Sequence, residues 1–556
     1  MPLSHPLYIS AAAGIASHIA YFNRGEHHLY VTQYLKLFLA AIAAITATLH
    51  YTQSQPWPHA LSTTAHLAAA YLSGLYTSLL IYRLLLHPLH QFPGPLGARL
   101  SSLYLPTQLN HNLYKHLHAY HTHYGPFVRT GSSDLSIAHP AAVHALYSAA
   151  SPCTKAAYYD FTHPGLALQN IRDPAAHAAR RRVWARAFSD PLLRGYEARV
   201  REYQQRLVER LAGMKGRAVD ARKWVNLYSF DVMGALTFGE GFGCLERGEP
   251  HWAIELLDAT MRQIGLCVPI WVMLAMNAVP GLSRDWWRFL EFCGQMLRYR
   301  VKNKPAIPDV SSALIAHLEG RDPTPSEELL LDGDARLVVV AGSDTTACTL
   351  AAILYELVRH PEEADKLRAE LAPYAHASDN GELLHSQIAN LDHLNGVINE
   401  ALRLYPPVPG ALQRKTPPEG IMIDDVFIPG DMTVSCPQYV VSRSPLCYEQ
   451  PDEFIPERWY RRPELIRDKT VFAPFTIGSC LDLISESHGS AKKTGPYSCI
   501  GKPLAMLNLR TTVARLVMEF DVRFAPGEDG RKFLDEAQDN FVLYMGELNV
   551  VFERRR

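Results

Sequence analysis

The 556-residue sequence is most informative first for what it lacks. Its nine cysteines include no Cys-x-x-Cys pair, which excludes a zinc module and a disulfide-stapled scaffold. The odd count leaves at least one thiol for a role of its own. Net charge is −1, so no basic field draws the chain to nucleic acid. No Gly-x-Gly-x-x-Gly followed by an acidic residue marks a nicotinamide or flavin site, so electrons for any redox chemistry must come from a partner. Solenoid-length repeats are absent. What remains is 48% hydrophobic and 20% charged, the composition of a folded chain rather than a disordered one. Its length fits about three or four domains of ordinary size, or one large helix-rich enzyme domain behind smaller segments.

Three apolar stretches precede residue 90: Leu7–Phe22, Leu35–His50 and Ala65–Leu86. The third is long enough to span a bilayer and the first two are slightly short of the usual ~20 residues. No cleavable small-residue site follows, so they do not read as a signal peptide. Arg24 and Lys36 flank the first connection, Tyr51–Thr64 carries no Lys or Arg, and Arg83 and Arg99 follow the third stretch. The positive-inside tendency then puts the rest of the chain in the cytosol, and three passes put the N-terminus in the lumen. The alternative makes the first two stretches a buried or interfacial hairpin. Pro88, Pro93 and Pro95 follow closely and form a stiff linker that no helix can cross.

Beyond residue 100 the pattern is mostly helical, with strand-like pieces near Phe127–Thr130 and Ile421–Val434. Pro305–Thr324 reads as a loop before a long helix, Ser326–His360. Inside that helix an apolar run turns abruptly polar at Ala341-Gly342-Ser343-Asp344-Thr345-Thr346. Glycine weakens a helix by about 1 kcal/mol relative to alanine, and threonine bonds back to a carbonyl. An acid and an alcohol therefore sit at a loosened turn where a small ligand could enter. Glu400 and Arg403 share a helical face, and Pro406 and Pro407 end that helix. Arg458 lies in the apolar, proline-kinked Phe454-Ile455-Pro456-Glu457-Arg458-Trp459 and needs a buried partner, which Glu400 with Arg403 would supply. Finally, Gly495-Pro496-Tyr497-Ser498-Cys499-Ile500-Gly501 puts one cysteine before an apolar helix running to about Glu519. A thiol there gains free backbone N–H donors and suits a metal ligand.

Taken in order, these four pieces resemble the cytochrome P-450 family, and the resemblance covers about residues 88–550. It implies a mainly α fold with small β-sheets, the cytochrome P-450 fold, behind a multi-pass membrane anchor. It implies haem b (iron protoporphyrin IX) as cofactor, with Cys499 as the axial thiolate ligand of the iron. Asp344 and Thr345 match the acid–alcohol pair that relays protons, and Ala341 and Gly342 match the point where the helix opens over the haem. Glu400, Arg403 and Arg458 match the structural cluster behind the haem. Arg414, His177 and Arg181 match contacts to its propionates; the last two are spaced i, i+4 in a helix opened by Asp173 and Pro174. Trp184 shares that helix, but Phe188 stands where an arginine would complete its pattern, which leaves Trp184 a packing residue or a weak contact.

Two departures stand out. Tyr497 replaces the arginine usual before the cysteine. More seriously, the family needs phenylalanine seven residues before the ligand, yet Phe475 lies 24 residues before Cys499. The excess is 17 residues, 479–495, and deleting it restores Phe475-Thr476-Ile477-Gly478 directly before Pro496. Cys480 is a poor alternative ligand, because Asp482 stands where glycine is needed. The 17 codons read in frame as a retained intron: the Gly478 codon can open it with GT, and Thr494 with Gly495 can close it with AG. A genuine surface insertion is the alternative, since long loops cost little entropy.

The resulting expectation has residues 1–86 as the anchor, 87–99 as the linker and 100–556 as the catalytic domain. The resemblance implies a monooxygenase that uses O2 as co-substrate and NADPH through a cytochrome P-450 reductase, with cytochrome b5 as a further possible donor. The substrate is a small, apolar organic molecule, and nucleic acid is not a partner. The site is the endoplasmic reticulum membrane with the catalytic domain in the cytosol. The overall pattern is similar to fungal microsomal members that tailor secondary metabolites. Two other readings remain: a haem-thiolate isomerase or dehydratase needing no reductase, and a non-catalytic membrane protein with a disrupted haem loop.

Overall fold

A computed structural model of the chain describes residues 4–109, 111–279, 281–303, 308–318, 321–376, 383–410, 412–476 and 495–555. The apolar N-terminal stretches form three helices. These are α1 (Ser4–Ser17, widening through His18–Phe22), α2 (Val31–Gln53) and α3 (Trp57–Ile81, widening through Tyr82–Leu86). Two glycines let α1 and α3 touch backbone to backbone. A Cβ on Gly14 would lie 2.0 Å from the Tyr71 carbonyl oxygen, and one on Gly74 would lie 2.1 Å from that of Ala11. Small residues at a helix crossing permit this approach where lipid offers no hydrophobic drive. His28–Gln53 and Trp57–Leu86 are long and apolar enough to cross a membrane, with 6% of each apolar window buried.

The loop between α1 and α2 is tied to the main body by charge. Arg172 grips both oxygens of Glu26 at 2.7 and 2.8 Å and reaches Asp160 at 2.6 Å, while His28 bonds Asp160 at 2.8 Å. Glu26, His28 and Asp160 lie close enough together for a cation, but the Arg172 guanidinium already bridges the two carboxylates.

The body is helical. Its elements used below are α4 (Pro174–Ala187), α5 (Ala221–Phe238), α6 (Ile270–Asn277), α7 (Pro325–Arg359), α8 (Asp392–Leu404) and α9 (Lys502–Glu519). Asp173 caps α4 by accepting from the Ala176 N–H, and Thr324 with Glu327 forms a capping box at the start of α7, as the residue types favour. α7 is also apolar enough to cross a membrane, but 78% of its window is buried, so it is the central core helix. One expectation needs correction. The segment read as a loop, Pro305–Thr324, contains a helix, Val310–Ile315, because Asp309 and Ser312 form a second capping box. Buried Arg300 fixes it by pairing with Asp309 at 2.6 Å.

Five short strands make the main sheet: β1 (Phe127–Arg129), β2 (Asp134–Ile137), β3 (Thr154–Lys155), β4 (Arg414–Lys415) and β5 (Thr433–Ser435). Their order is β1-β2-β5-β4-β3, with β2 and β5 parallel and the other pairs antiparallel. The β3–β4 register places Lys155 opposite Arg414. Near the C-terminus a hairpin of β6 (Gln538–Asn540) and β7 (Val542–Tyr544) carries Tyr544 to the side of α7.

Candidate active site

A cavity of about 350 Å³ lies between α7, α4, the β3–β4 edge and the segment around Cys499, within the size range of small-molecule sites. Cys499 precedes α9 with its thiol open to this cavity. Burial raises the thiol pKa, while the Gly501 and Lys502 N–H groups and the Arg181 charge oppose the rise. Coordination to a metal would complete its ionisation. Gly495 passes so close to the C-terminal end of the helix Pro140–Tyr147 that an added Cβ would lie 2.2 Å from the Tyr147 carbonyl oxygen. Only glycine fits there.

The two ends of the interrupted loop meet. The Cys499 N–H donates to the Phe475 carbonyl at 2.9 Å, and the Thr476 hydroxyl donates to the Tyr497 carbonyl at 3.3 Å. Phe475 therefore reaches the thiol despite the 24-residue separation. Gly478, Cys480 and residues 479–494 lie outside the described residues.

Four basic side chains line the cavity together: Lys155, His177, Arg181 and Arg414. Arg414 lies between the rings of Tyr147 and Tyr497, 5.0 Å from each centroid, and its buried Nε has no partner. Burial, then the charges of Lys155, Arg181 and Arg414, push His177 down to about 3. Burial and the two arginines push Lys155 down to about 6, although its ammonium donates to the carbonyls of Leu168, Gln169 and Ile171. Arg181 donates to Ser498 O at 2.6 Å and to its hydroxyl at 3.0 Å. Among the described residues, no Asp or Glu lines the cavity. A cluster of basic groups in which Arg181 and Arg414 hold Lys155 and His177 low, without an acid, fits a ligand that brings its own carboxylates. Beside an open thiol, that donor set fits haem. Tyr497, in place of arginine, adds an aromatic face to the cluster: Lys155 lies 5.1 Å above it and the His177 ring meets it edge-on at 4.8 Å.

On α7, Ala341, Gly342 and Thr345 line the cavity. Thr345 donates to the Ala341 carbonyl at 2.7 Å, and Gly342 leaves room for Met233 of α5, 2.5 Å from where a Cβ would stand. Asp344 does not line the cavity. It is buried on the flank of α7, where Tyr544 donates to it at 3.1 Å. The same phenol lies 3.3 Å from Asp258. Burial and the Asp258 charge push Asp344 up to about 8, against hydrogen bonds from Tyr544 and Asn226. Burial lifts Asp258 to about 6.

Glu400, Arg403 and Arg458 come together away from the cavity, each with no exposed surface. Glu400 accepts from Arg403 at 2.9 Å twice, from Arg458 at 2.8 Å, from Trp459 at 2.9 Å and from the Ile455 N–H at 3.0 Å.

Sequence reasoning missed Lys155, Tyr544 and Asp258, which no motif marks, and it missed Asp334. That buried carboxylate accepts from Arg180 at 2.6 Å, from the Trp184 indole at 2.8 Å and from the Leu168 N–H at 2.9 Å. Trp184 thereby spends its only polar hydrogen on locking α4 to α7. Its position within an Arg-x-x-x-Trp spacing was the available signal.

The cytochrome P450 family model matches residues 93–481 and breaks off inside the inserted segment. The chain is 47% identical over 544 residues to cytochrome P450 monooxygenase notG' of Aspergillus versicolor, covering 98% of this chain and 97% of that one. It is 44% identical to tryprostatin B 6-hydroxylase of Neosartorya fischeri, covering 99% and 98%. Cytochrome P450 monooxygenase sthD of Phaeosphaeria nodorum is 40% identical, covering 87% and 99%. The crystal structure of the cytochrome P450DA heme domain shares the fold, with a TM-score of 0.66 at 18% identity, over 84% of this chain and 98% of that one.

Proposed function

Because the chain belongs to the cytochrome P450 family, we propose that it is a membrane-anchored haem-thiolate monooxygenase of fungal secondary metabolism. It inserts one atom of O2 into a small organic substrate. The observation that carries this is the single cavity in which an open cysteine thiol, an acid-free cation cluster and the loosened turn of α7 meet. One relative is named for hydroxylating tryprostatin B at position 6, which supports hydroxylation as the reaction.

Haem bound there supplies the oxygen-activating redox chemistry, with electrons from an NADPH-dependent flavoprotein reductase. Cys499 would hold the iron, and the N–H groups of Gly501 and Lys502 favour its thiolate form. Arg414, Arg181, His177 and Lys155 would hold its propionates, whose negative charge would favour the protonated forms of Lys155 and His177. Thr345 faces the reacting space and positions a proton through its hydroxyl. Asp344 resupplies that proton, and it is itself fed from Asp258 through the Tyr544 hydroxyl. Asp258 and Tyr544 are both half-buried, whereas Asp344 is buried, so protons enter the relay from the Asp258–Tyr544 side. Glu400, Arg403 and Arg458 act on folding rather than chemistry.

The anchor is read from the two long apolar helices and from the charged clasp. The Glu26–His28 loop sits against the body, so it lies on the same membrane side as the catalytic domain. That supports three passes with the N-terminus across the membrane and the catalytic domain cytosolic, at the endoplasmic reticulum. α6 carries exposed Trp271, and it packs beside α2, extending the apolar surface into the same layer. The 17 residues 479–495 are read as a retained intron. The family match ends within them, and the flanking residues close the loop without them.

The test is substrate turnover by membranes containing the chain. Product should appear only with NADPH and a reductase, and turnover without either would favour an isomerase or dehydratase.

A further inference from the structure

One cation in the cavity wall stands apart from the propionate cluster. Arg336, on α7, is 4% exposed and lines the cavity, yet its guanidinium forms no hydrogen bond or ion pair with a described residue. It lies over the Trp286 ring, 5.2 Å from the centroid. That contact favours the charge but satisfies none of its N–H donors. Asp334, two residues earlier, is already taken by Arg180, Trp184 and the Leu168 N–H. Burial lowers the Arg336 pKa only to about 10, so the group stays charged at neutral pH. The charges that act on Lys155 and His177 come from within their own cluster, and Arg336 is not among them. Apolar side chains, among them Leu337, Val340, Leu257 and Met261, line the same cavity.

A buried donor set without an acceptor is costly unless a ligand supplies one. We propose that Arg336 anchors the substrate by binding an oxygen acceptor, a carboxylate or an amide carbonyl, on an otherwise apolar molecule. The inference rests on the monooxygenase reading of the same cavity and names its substrate class. Arg336 lies five residues before Ala341, about 8 Å along the helix by its rise. The oxidised atom therefore lies roughly that far, or farther, from the anchored oxygen.

Equilibrium dialysis of the solubilised holoenzyme tests this with three probes of matched shape: 5-phenylpentanoate, 5-phenylpentanamide and pentylbenzene. The wild type should bind one or both oxygen-bearing probes at least about tenfold tighter than pentylbenzene. Arg336→Met keeps an apolar stem and should remove that advantage while leaving pentylbenzene binding unchanged. Arg336→Leu, equally without a donor, serves the same purpose should the Met variant hold no haem. An advantage confined to the carboxylate assigns anionic substrates, and an equal advantage for the amide assigns neutral carbonyl compounds. No oxygen preference in the wild type, or a preference that survives both substitutions, would overturn the proposal. The ferrous–CO spectrum of the same samples reports separately on the haem-thiolate reading.

Discussion

Removing the Glu400 carboxylate should unfold the holoprotein more than any surface change. Its two oxygens accept five hydrogen bonds, from Arg403 twice, Arg458, Trp459 and the Ile455 N–H. Burial works against its charge, but Arg403 and then Arg458 hold the carboxyl below its ordinary value. The stabilisation is therefore present above the unfolded carboxyl range and is lost as pH falls through the folded value. Glu400→Ala leaves two guanidinium groups with no exposed surface and no counter-ion. Breaking such a buried pair costs about 3–5 kcal/mol. At 1.4 kcal/mol per tenfold, that raises the unfolded fraction roughly 100- to 1,000-fold or more, against a total stability of about 5–15 kcal/mol. The assay is haem content and thermal inactivation of variants expressed in parallel. Glu553→Ala, which breaks the exposed pair with Arg523 at 2.6 Å, is the control and should behave like wild type. Normal haem content and unchanged inactivation in Glu400→Ala would refute the reasoning.

The other predictions concern proton supply and the inserted segment. Asp344, pushed up to about 8, is protonated at neutral pH and loses its proton as pH rises through that value. The fraction of NADPH converted to product should then fall above about pH 8, and Asp344→Asn should turn over slowly without that limb; an unchanged pH profile in the variant would count against the relay. Thr345→Ala should keep its haem spectrum while diverting NADPH into hydrogen peroxide, and tight coupling in that variant would remove Thr345 from the proton path. The mature transcript should lack the 17 codons for 479–495, and a chain without them should load haem at least as well. A message retaining them all, with a normal CO spectrum from its product, would end the intron reading.

Much of the site was legible because its chemistry constrains short stretches of chain. A cysteine before a helix, a glycine where an added Cβ would come within 2.2 Å of a carbonyl oxygen and a Glu–Arg pair one turn apart each leave a local trace. Arg458 was legible as a buried cation needing an acid. What stayed hidden depends on contacts between distant segments. Lys155 belongs to the cation cluster because strand register sets it opposite Arg414. Tyr544 and Asp258 meet Asp344 only when a C-terminal hairpin folds onto α7. Arg336 resembles any helix arginine until its partners are counted. The helix at Val310–Ile315 was different: Asp309 and Ser312 carried its capping box in plain view, and a run rich in proline, serine and aspartate masked it. Fold class followed from the motifs in order, whereas the sheet order, with β5 inserted between β2 and β4, has no counterpart in local pattern.

The central claim is thiolate ligation of haem by Cys499, and the ferrous–CO spectrum of the purified protein tests it most directly. The chain should give the red-shifted Soret band that a thiolate ligand produces. Cys499→Ser should abolish that band, because a hydroxyl is not ionised at neutral pH, and Cys480→Ser should leave it unchanged. A normal band in Cys499→Ser, or its loss in Cys480→Ser alone, would contradict the account.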